Sequence, residues 1–287
     1  MSAEPPWFTA AIAAAPERLA IEVEGASIEV LRWGQPGDQP DLLLIHGNGA
    51  HAEWWRFIAP LLAVDRRVVA FSLSGMGNSA WREAYSVDLY ASEAIAAASA
   101  TGLCEGAAKP WIVAHSFGSV VALHCLDRVA DHIGGIIVAD NGVRGPRPPG
   151  RPLPPSGPLS FQPDRDALLG RFRLQPSQPW AHDHIRRFLA ETSIVETPSG
   201  WRWKFDPSAP ASRGLDHGVG VRARIASATV PLAFLYGEDS VLIDADVIAR
   251  TRAVAPGARF VGIPDAGHHL MLDQPLAFVA AVRALIA

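Results

Sequence analysis

The chain has 287 residues, of which 49% are hydrophobic and 19% are charged, and its formal net charge is −4 with neutral histidines. This composition excludes a disordered or fibrous protein, and a chain of this length can bury one large core. The charge is mildly acidic and no basic patch dominates, so neither nucleic acid nor an anionic membrane is an expected partner. Cys104 and Cys125 are too few for a disulfide framework and suit a reducing compartment.

The N-terminal region holds one apolar stretch, residues 7–15. No Lys or Arg precedes it, so we expect a surface helix rather than a secretory signal. The sequence has no run of about 18 apolar residues, which predicts that no helix spans a membrane. Together with the two lone cysteines, these features predict a cytoplasmic protein.

Short apolar runs alternate with helix-length segments. The runs cover residues 21–23, 28–33, 42–45, 68–71, 111–114, 136–139, 232–236 and 260–263. The first two runs are predicted to form an antiparallel hairpin. The helix-length segments are 52–63, 88–102, 117–128, 244–254 and 275–286. Continuous apolar runs are typical of strands buried on both faces, and their alternation with helices predicts an α/β fold with a mostly parallel sheet.

One long stretch interrupts this alternation. It opens with seven prolines between positions 146 and 158, which a central strand does not accommodate, and continues with helical fragments around 165–172 and 183–191. Its aromatic residues argue against disorder. We therefore predict a core formed by residues 1–142 and 225–287, with a helical lid at 143–224 entered through a proline-rich hinge.

The pentapeptide Ala114-His115-Ser116-Phe117-Gly118 lies where a predicted strand passes into a helix. Such a tight turn strains its central residue and requires small residues two positions before and after it, as here. The turn raises the Ser116 hydroxyl above the sheet, and the helix N-terminus favours negative charge on a bound oxygen. A serine that only caps the helix is the alternative. We interpret Ser116 as a nucleophile.

Four motifs follow one another along the chain, separated by long segments. They are His46-Gly47-Asn48-Gly49, the turn at 74–79, the pentapeptide around Ser116 and Gly267-His268. In this order they resemble the α/β-hydrolase family, although the family's usual first residue of the pentapeptide is Gly and here it is Ala114. The resemblance implies a mostly parallel, eight-stranded sheet with an inserted helical lid, and a serine-esterase-like hydrolase without a cofactor.

The resemblance also implies the base. The family's catalytic histidine follows a glycine in the turn after the last strand, which corresponds to His268, with His269 as the alternative. Histidine takes and returns a proton near pH 7, as a serine nucleophile requires. We interpret His46, His51 and His115 as supports of the neighbouring loops.

The acid that orients the histidine has two candidate positions in the family. One lies three residues past Gly237, where this chain has Ser240, while Asp239 comes one position early. The other is the end of the strand at 136–139, which runs directly into Asp140. Esterase-like members that use this position resemble the chain in having Ser at the later one. We predict Asp140 as the acid, with Asp239 as the alternative.

The family resemblance implies an oxyanion hole made of two backbone N–H groups, those of Phe117 and Asn48. Glycines beside Asn48 allow the backbone to approach a bound oxygen closely. The loop lacks the lysine of a phosphate-binding loop.

Large side chains of the predicted lid suggest a substrate pocket. Trp180, Trp201 and Trp203 are expected to roof an apolar pocket and exclude water. His182 and His184 diverge on a helix, so no metal site is predicted. Four lid arginines are interpreted as a solvated face, with a clamp for a substrate carboxylate as the alternative: Arg171, Arg173, Arg186 and Arg187.

These features predict a serine hydrolase that cleaves a small, partly apolar carboxylic ester through an acyl-enzyme intermediate. A lactonase or a carbon–carbon bond hydrolase would use the same triad. A low-turnover small-molecule receptor, a lyase or a cofactor-free oxygenase on the same fold are further alternatives. In each case the expected partner is a small molecule.

Overall fold

The computed structural model describes residues 4–145, 158–209 and 219–287. The strands are β1 (Glu17–Val23), β2 (Ala26–Trp33), β3 (Leu42–Ile45), β4 (Val68–Phe71), β5 (Trp111–His115), β6 (Gly135–Ala139), β7 (Ile194–Thr197), β8 (Gly200–Trp203), β9 (Leu232–Gly237) and β10 (Arg259–Ile263). The helices are α1 (Pro6–Ala13), α2 (Ala59–Leu62), α3 (Val87–Ala100), α4 (Phe117–Val129), α5 (Arg165–Leu169), α6 (Asp183–Thr192), α7 (Val219–Ser227), α8 (Ala245–Val254), α9 (Leu270–Asp273) and α10 (Pro275–Ile286).

Eight strands form one sheet in the order β1-β2-β4-β3-β5-β6-β9-β10. The β1–β2 and β2–β4 pairs are antiparallel, and all pairs from β4 to β10 are parallel. The predicted α/β fold with a mostly parallel, eight-stranded sheet is therefore confirmed. Parallel strands place their carboxyl ends at one edge of the sheet, where ligands bind in this class of fold.

The core occupies both faces of the sheet. In β3, Leu42 and Leu44 belong to one apolar cluster and Leu43 and Ile45 to the other, and all four are buried. Successive side chains of a strand point to opposite faces, so a strand covered on both sides needs apolar residues throughout. This requirement explains the continuous apolar runs of the sequence.

The helix predicted over 52–63 is not continuous. A 3₁₀ helix covers Ala52–Trp55 and α2 begins only at Ala59. Pro60 lies in the first turn of α2, a position that a proline tolerates, whereas inside a longer helix its ring would clash with the preceding turn.

The insertion between β6 and β9 is only partly helical. Helices α5 and α6 lie where helical fragments were predicted, but β7 and β8 form an antiparallel hairpin that was not expected. The side chains of β8 are all half-buried, so the hairpin lacks the continuous apolar run of a central strand. The proposed proline-rich hinge lies, apart from Pro158, outside the described residues.

The apolar N-terminal stretch forms α1, which buries Phe8 and Ala11 against the core. Within the described parts of the chain, no helix has both the length and the apolar character needed to cross a bilayer.

Candidate active site

Ser116 lies at the sharp turn between β5 and α4. Its backbone has φ +51° and ψ −117°, a conformation that costs energy in a residue with a Cβ. The Ser116 N–H donates to the Ala139 carbonyl at 2.8 Å, and the Asn141 amide donates to the Ser116 carbonyl at 3.0 Å. Neighbouring strand ends therefore hold the strained turn in place. Asn141 was not singled out by sequence reasoning.

Gly118 explains why the turn needs small residues. A Cβ at this position would lie 2.6 Å from the backbone oxygens of both Ile45 and His46. Backbone atoms of β3 and its following loop thus contact the first turn of α4 with no room for a side chain.

Asp140 and His268 meet at the carboxyl edge of the sheet. His268 Nδ1 lies 2.6 Å from Asp140 Oδ2, and both side chains are buried. The carboxylate also accepts the Gly237 N–H at 3.0 Å and the Ser240 hydroxyl at 2.6 Å. With its Nδ1–H donated to the carboxylate, His268 presents Nε2 as a proton acceptor.

The alternative acid, Asp239, is exposed, and its backbone N–H donates to the Ala266 carbonyl at 2.9 Å. Ser240, at the family's commoner acid position, donates to Asp140 instead. Of the two candidate acids, the structure brings Asp140 to His268.

His115 connects the serine turn with the histidine turn. Its Nε2 lies 2.9 Å from the His268 carbonyl oxygen, and the two rings have centroids 4.8 Å apart. Within the described structure, Ser116 and His268 make no direct hydrogen bond with each other. Such bonds often tighten only when a substrate is bound.

The loop after β3 carries the predicted oxyanion residue Asn48, which is exposed to the cavity described below. His46 fixes this loop, since its Nε2 accepts the Leu73 N–H at 3.0 Å and its Nδ1 lies 2.7 Å from the Gly47 carbonyl. Burial lowers the pKa of His46 to about 4, so the ring stays neutral and keeps both bonds. Phe117, the other predicted donor, is the first residue of α4.

A cluster of three buried imidazoles lies at the same edge. The candidate ligand nitrogens of His115, His268 and His269 lie within 4.8 Å of one another. Burial lowers the pKa of His115 and brings that of His269 to about 3, so both rings are neutral, as metal ligands must be. An ion bound there through Nε2 of His268 would occupy the proton acceptor. Sequence reasoning missed this cluster because His115 is 153 residues away from His268 in the chain.

A cavity of about 500 Å³ lies between the loop after β3 and the insertion. Its lining residues are Asn48, Gly49, His51, Trp54, Arg171, Phe172, Arg173, Leu174, Gln175, Ser193, Trp203, Lys204, Phe205 and His269. Ser116 and His268 are not among them, but Asn48 and His269, which belong to the turns beside these two residues, are.

Only one of the three tryptophans predicted to bind substrate lines this cavity. Trp203 does, whereas Trp180 stacks against the lining residue Phe172, with ring centroids 5.6 Å apart. Trp201 instead lies under the guanidinium of Arg165. Trp201 and Trp203 are two residues apart in β8 and share a face, so tertiary contacts decide which tryptophan lines the cavity, and composition alone does not reveal them.

The insertion also holds the turn that carries His268. Gln178 donates to Asp273 Oδ2 at 2.8 Å and accepts the His269 N–H at 3.1 Å. The same Asp273 oxygen accepts the Gly267 N–H at 2.8 Å. A residue of the insertion therefore positions the histidine turn, a role that no motif in the sequence indicates.

Comparison with known proteins agrees with this architecture. Residues 42–282 match the profile of the alpha/beta hydrolase family. Esterase Rv0045c of Mycobacterium tuberculosis is 23% identical over 92% of this chain and 88% of its own. A pimeloyl-(acyl-carrier protein) methyl ester esterase of Aeromonas salmonicida is 27% identical over 90% of this chain and 98% of its own.

Solved structures share this fold, as two examples illustrate. The thioesterase domain from the curacin biosynthetic pathway has a TM-score of 0.77 and 22% identity, covering 94% of this chain and 99% of that chain. The E-2-(acetamidomethylene)succinate hydrolase has a TM-score of 0.75 and 18% identity, with the same coverage.

The chain belongs to the alpha/beta hydrolase family. The predicted family is therefore confirmed. The esterases among the sequence relatives bear out the predicted class of enzyme, a carboxylic ester hydrolase.

Proposed function

We propose that the protein is a serine hydrolase that cleaves a small, partly apolar carboxylic ester. The observation that carries this proposal is the 2.6 Å bond from His268 to Asp140, beside the strained backbone of Ser116. A nucleophile on a sharp turn, a histidine and a buried carboxylate form the arrangement that acyl transfer uses on this fold. The named esterases among the relatives support the same chemistry.

The first half of the proposed reaction forms an acyl-enzyme. Ser116 Oγ attacks the ester carbonyl carbon while His268 Nε2 accepts the hydroxyl proton, and Asp140 stabilises the resulting imidazolium. Backbone N–H groups of Phe117 and Asn48 bind the negative oxygen of the tetrahedral intermediate. When this intermediate collapses, the carbon–oxygen bond to the alcohol breaks. The alcohol takes the proton from His268, and the acyl group stays on Ser116.

The second half releases the acid. A water molecule gives a proton to His268 Nε2 and its oxygen attacks the acyl carbon. Collapse of the second tetrahedral intermediate breaks the bond to Ser116 Oγ, which recovers the proton from His268. The net reaction consumes one water and yields one carboxylic acid and one alcohol, so the proposed mechanism uses no cofactor.

The cavity supports a substrate of modest size. Its volume of about 500 Å³ is within the range of small-molecule sites, and its wall includes Trp54, Phe172, Leu174 and Trp203. We propose a small-molecule substrate rather than a nucleic acid or a membrane. A cytoplasmic location remains a prediction, supported by the two free thiols of Cys104 and Cys125.

Two measurements on the same samples test the proposal. A fluorophosphonate probe should label the wild-type protein, and p-nitrophenyl esters of graded acyl length should be hydrolysed with an optimum set by the cavity. Ser116→Ala should abolish both, while Ser99→Ala, at an exposed position in α3, should retain both.

The proposal fails if the folded wild-type protein neither reacts with the probe nor cleaves any ester. Stabilisation by a ligand without labelling would then favour a receptor. Oxygen uptake during turnover would favour a cofactor-free oxygenase.

A further inference from the structure

The cavity wall has an unbalanced charge. Three basic side chains line it, Arg171, Arg173 and Lys204, and no Asp or Glu is among the described residues that line it. The two lining imidazoles, His51 and His269, are buried, and burial lowers the pKa of both. The ionised groups of the wall are therefore all cations.

Lys204 is half-buried, directly after β8. In the described part of the chain its ammonium has no ion-pair or hydrogen-bond partner, and burial lowers its pKa. The carboxylates of Glu29 and Glu53 act on it through space, but both are already paired with Arg18. A half-buried ammonium without a direct partner loses part of its hydration, and an anionic ligand would offset that cost.

The two arginines of the wall differ from others of the insertion. Arg186 and Arg187 both pair with Asp183, outside the cavity. Arg171, by contrast, has no acidic partner among the described residues. Arg173 Nη1 donates to the carbonyl oxygens of Gly170 and Phe172, both at 2.8 Å, which holds its guanidinium against the loop.

The location of these cations relates them to the reacting centre. Asn48, whose N–H is proposed to bind the oxyanion, and His269, which adjoins the proposed base, line the same cavity. A ligand that fills the cavity would thus extend from the proposed reacting groups to the three cations.

We propose that the substrate is an ester with a second, anionic group, in its simplest form the monoester of a dicarboxylic acid, whose free carboxylate is held by Arg171, Arg173 and Lys204. A guanidinium presents paired N–H donors that match a carboxylate, and the lysine adds a point charge. This inference rests on the proposed ester hydrolysis and specifies which esters are cleaved.

The test compares matched ester pairs. Monomethyl esters of unbranched dicarboxylic acids and methyl esters of monocarboxylic acids of equal carbon number are hydrolysed in a pH-stat. The wild-type protein should prefer the anionic member by about tenfold or more in kcat/KM, mainly through a lower KM, because the carboxylate contacts are the same in ground and transition state. The preference should shrink at high salt.

Three variants locate the source of the preference. Lys204→Met and Arg171→Gln should each lower the anionic-to-neutral ratio of kcat/KM by about tenfold, as expected for loss of one charged contact. Arg186→Gln, in the same insertion but outside the cavity, should keep the wild-type ratio and the wild-type activity.

An anionic-to-neutral ratio of kcat/KM near one in the wild-type protein would overturn the inference. So would a ratio that neither Lys204→Met nor Arg171→Gln changes. Either result would leave ester hydrolysis and Ser116 labelling intact. A thermal-shift measurement with millimolar adipate tests carboxylate binding without turnover. Stabilisation of the wild-type protein but not of Lys204→Met supports the inference, and equal shifts overturn it. Stabilisation by inorganic phosphate but not by adipate would overturn the assignment to a carboxylate.

Discussion

His268 Nδ1 lies 2.6 Å from Oδ2 of Asp140, although 128 residues separate them in the chain. Asp140 directly follows β6 and His268 follows β10, and both strands run parallel to β9 between them. Their carboxyl ends therefore meet at one edge of the sheet, which brings the proposed base to the proposed acid.

Replacing the proposed acid should be far more damaging than replacing its alternative. Asp140→Asn should lower kcat by about four orders of magnitude, because an amide can donate to Nδ1 and select the wrong imidazole tautomer. Asp239→Asn should change kcat by no more than about twofold, as is usual at an exposed position. Steady-state kinetics on a p-nitrophenyl ester measures both. A severe loss in Asp239→Asn with a mild one in Asp140→Asn would reverse the assignment.

A carboxylate at position 240 should replace the lost acid in part. The Ser240 hydroxyl contacts the same Asp140 oxygen that His268 contacts. A carboxylate there would approach Nδ1 of His268 from the end of β9. The double variant Asp140→Asn/Ser240→Asp should therefore be more active than Asp140→Asn alone by about a hundredfold. The pair Asp140→Asn/Ser240→Ala is the matched control, and equal activity of the two double variants would contradict this geometry.

Adding one methyl group at Gly118 should destabilise the protein. The new Cβ would lie 2.6 Å from two backbone oxygens, which cannot move without displacing β3. We expect a loss of about 1–3 kcal/mol in the free energy of unfolding, typical of overpacking, with weaker probe labelling of Ser116. Gly220→Ala in α7 is the control, because its Cβ would meet nothing within 4 Å. Urea unfolding of both variants checks the prediction, and equal stability would contradict it.

Stability should fall on mild acidification. Burial lowers the pKa of His46 to about 4 and that of His269 to about 3. An unfolded histidine titrates near pH 6.5, so below that pH the unfolded chain binds more protons than the folded one. The stabilisation is fully present above about pH 6.5 and declines as the pH falls towards the folded pKa values, by up to about 1.4 kcal/mol per pH unit for each histidine.

Urea unfolding across this pH range measures the decline. His269→Gln should reduce the slope of the unfolding free energy against pH by the contribution of one bound proton. His132→Gln, at an exposed position, serves as the control. An unfolding free energy that stays constant from neutral pH down to about pH 5 would contradict the prediction.

The sheet could be predicted because its strands are buried on both faces. Runs such as Leu42–Ile45 and Val68–Phe71 are wholly apolar for that reason, and both were predicted with the bounds that the structure has. The β7–β8 hairpin escaped prediction because its half-buried residues carry no such pattern. The break in the helix predicted over 52–63 was missed although Pro60 marks it.

The sequence by itself determined the family, the strand order along the chain and the turn around Ser116, because each depends on short motifs or apolar runs whose own residues are neighbours in the chain. Only the tertiary structure decided which aspartate reaches His268, which tryptophan lines the cavity and which arginines lack acidic partners among the residues that the structure describes. These relationships depend on where distant strand ends and the insertion meet in space, and on pairing between side chains that no local spacing records.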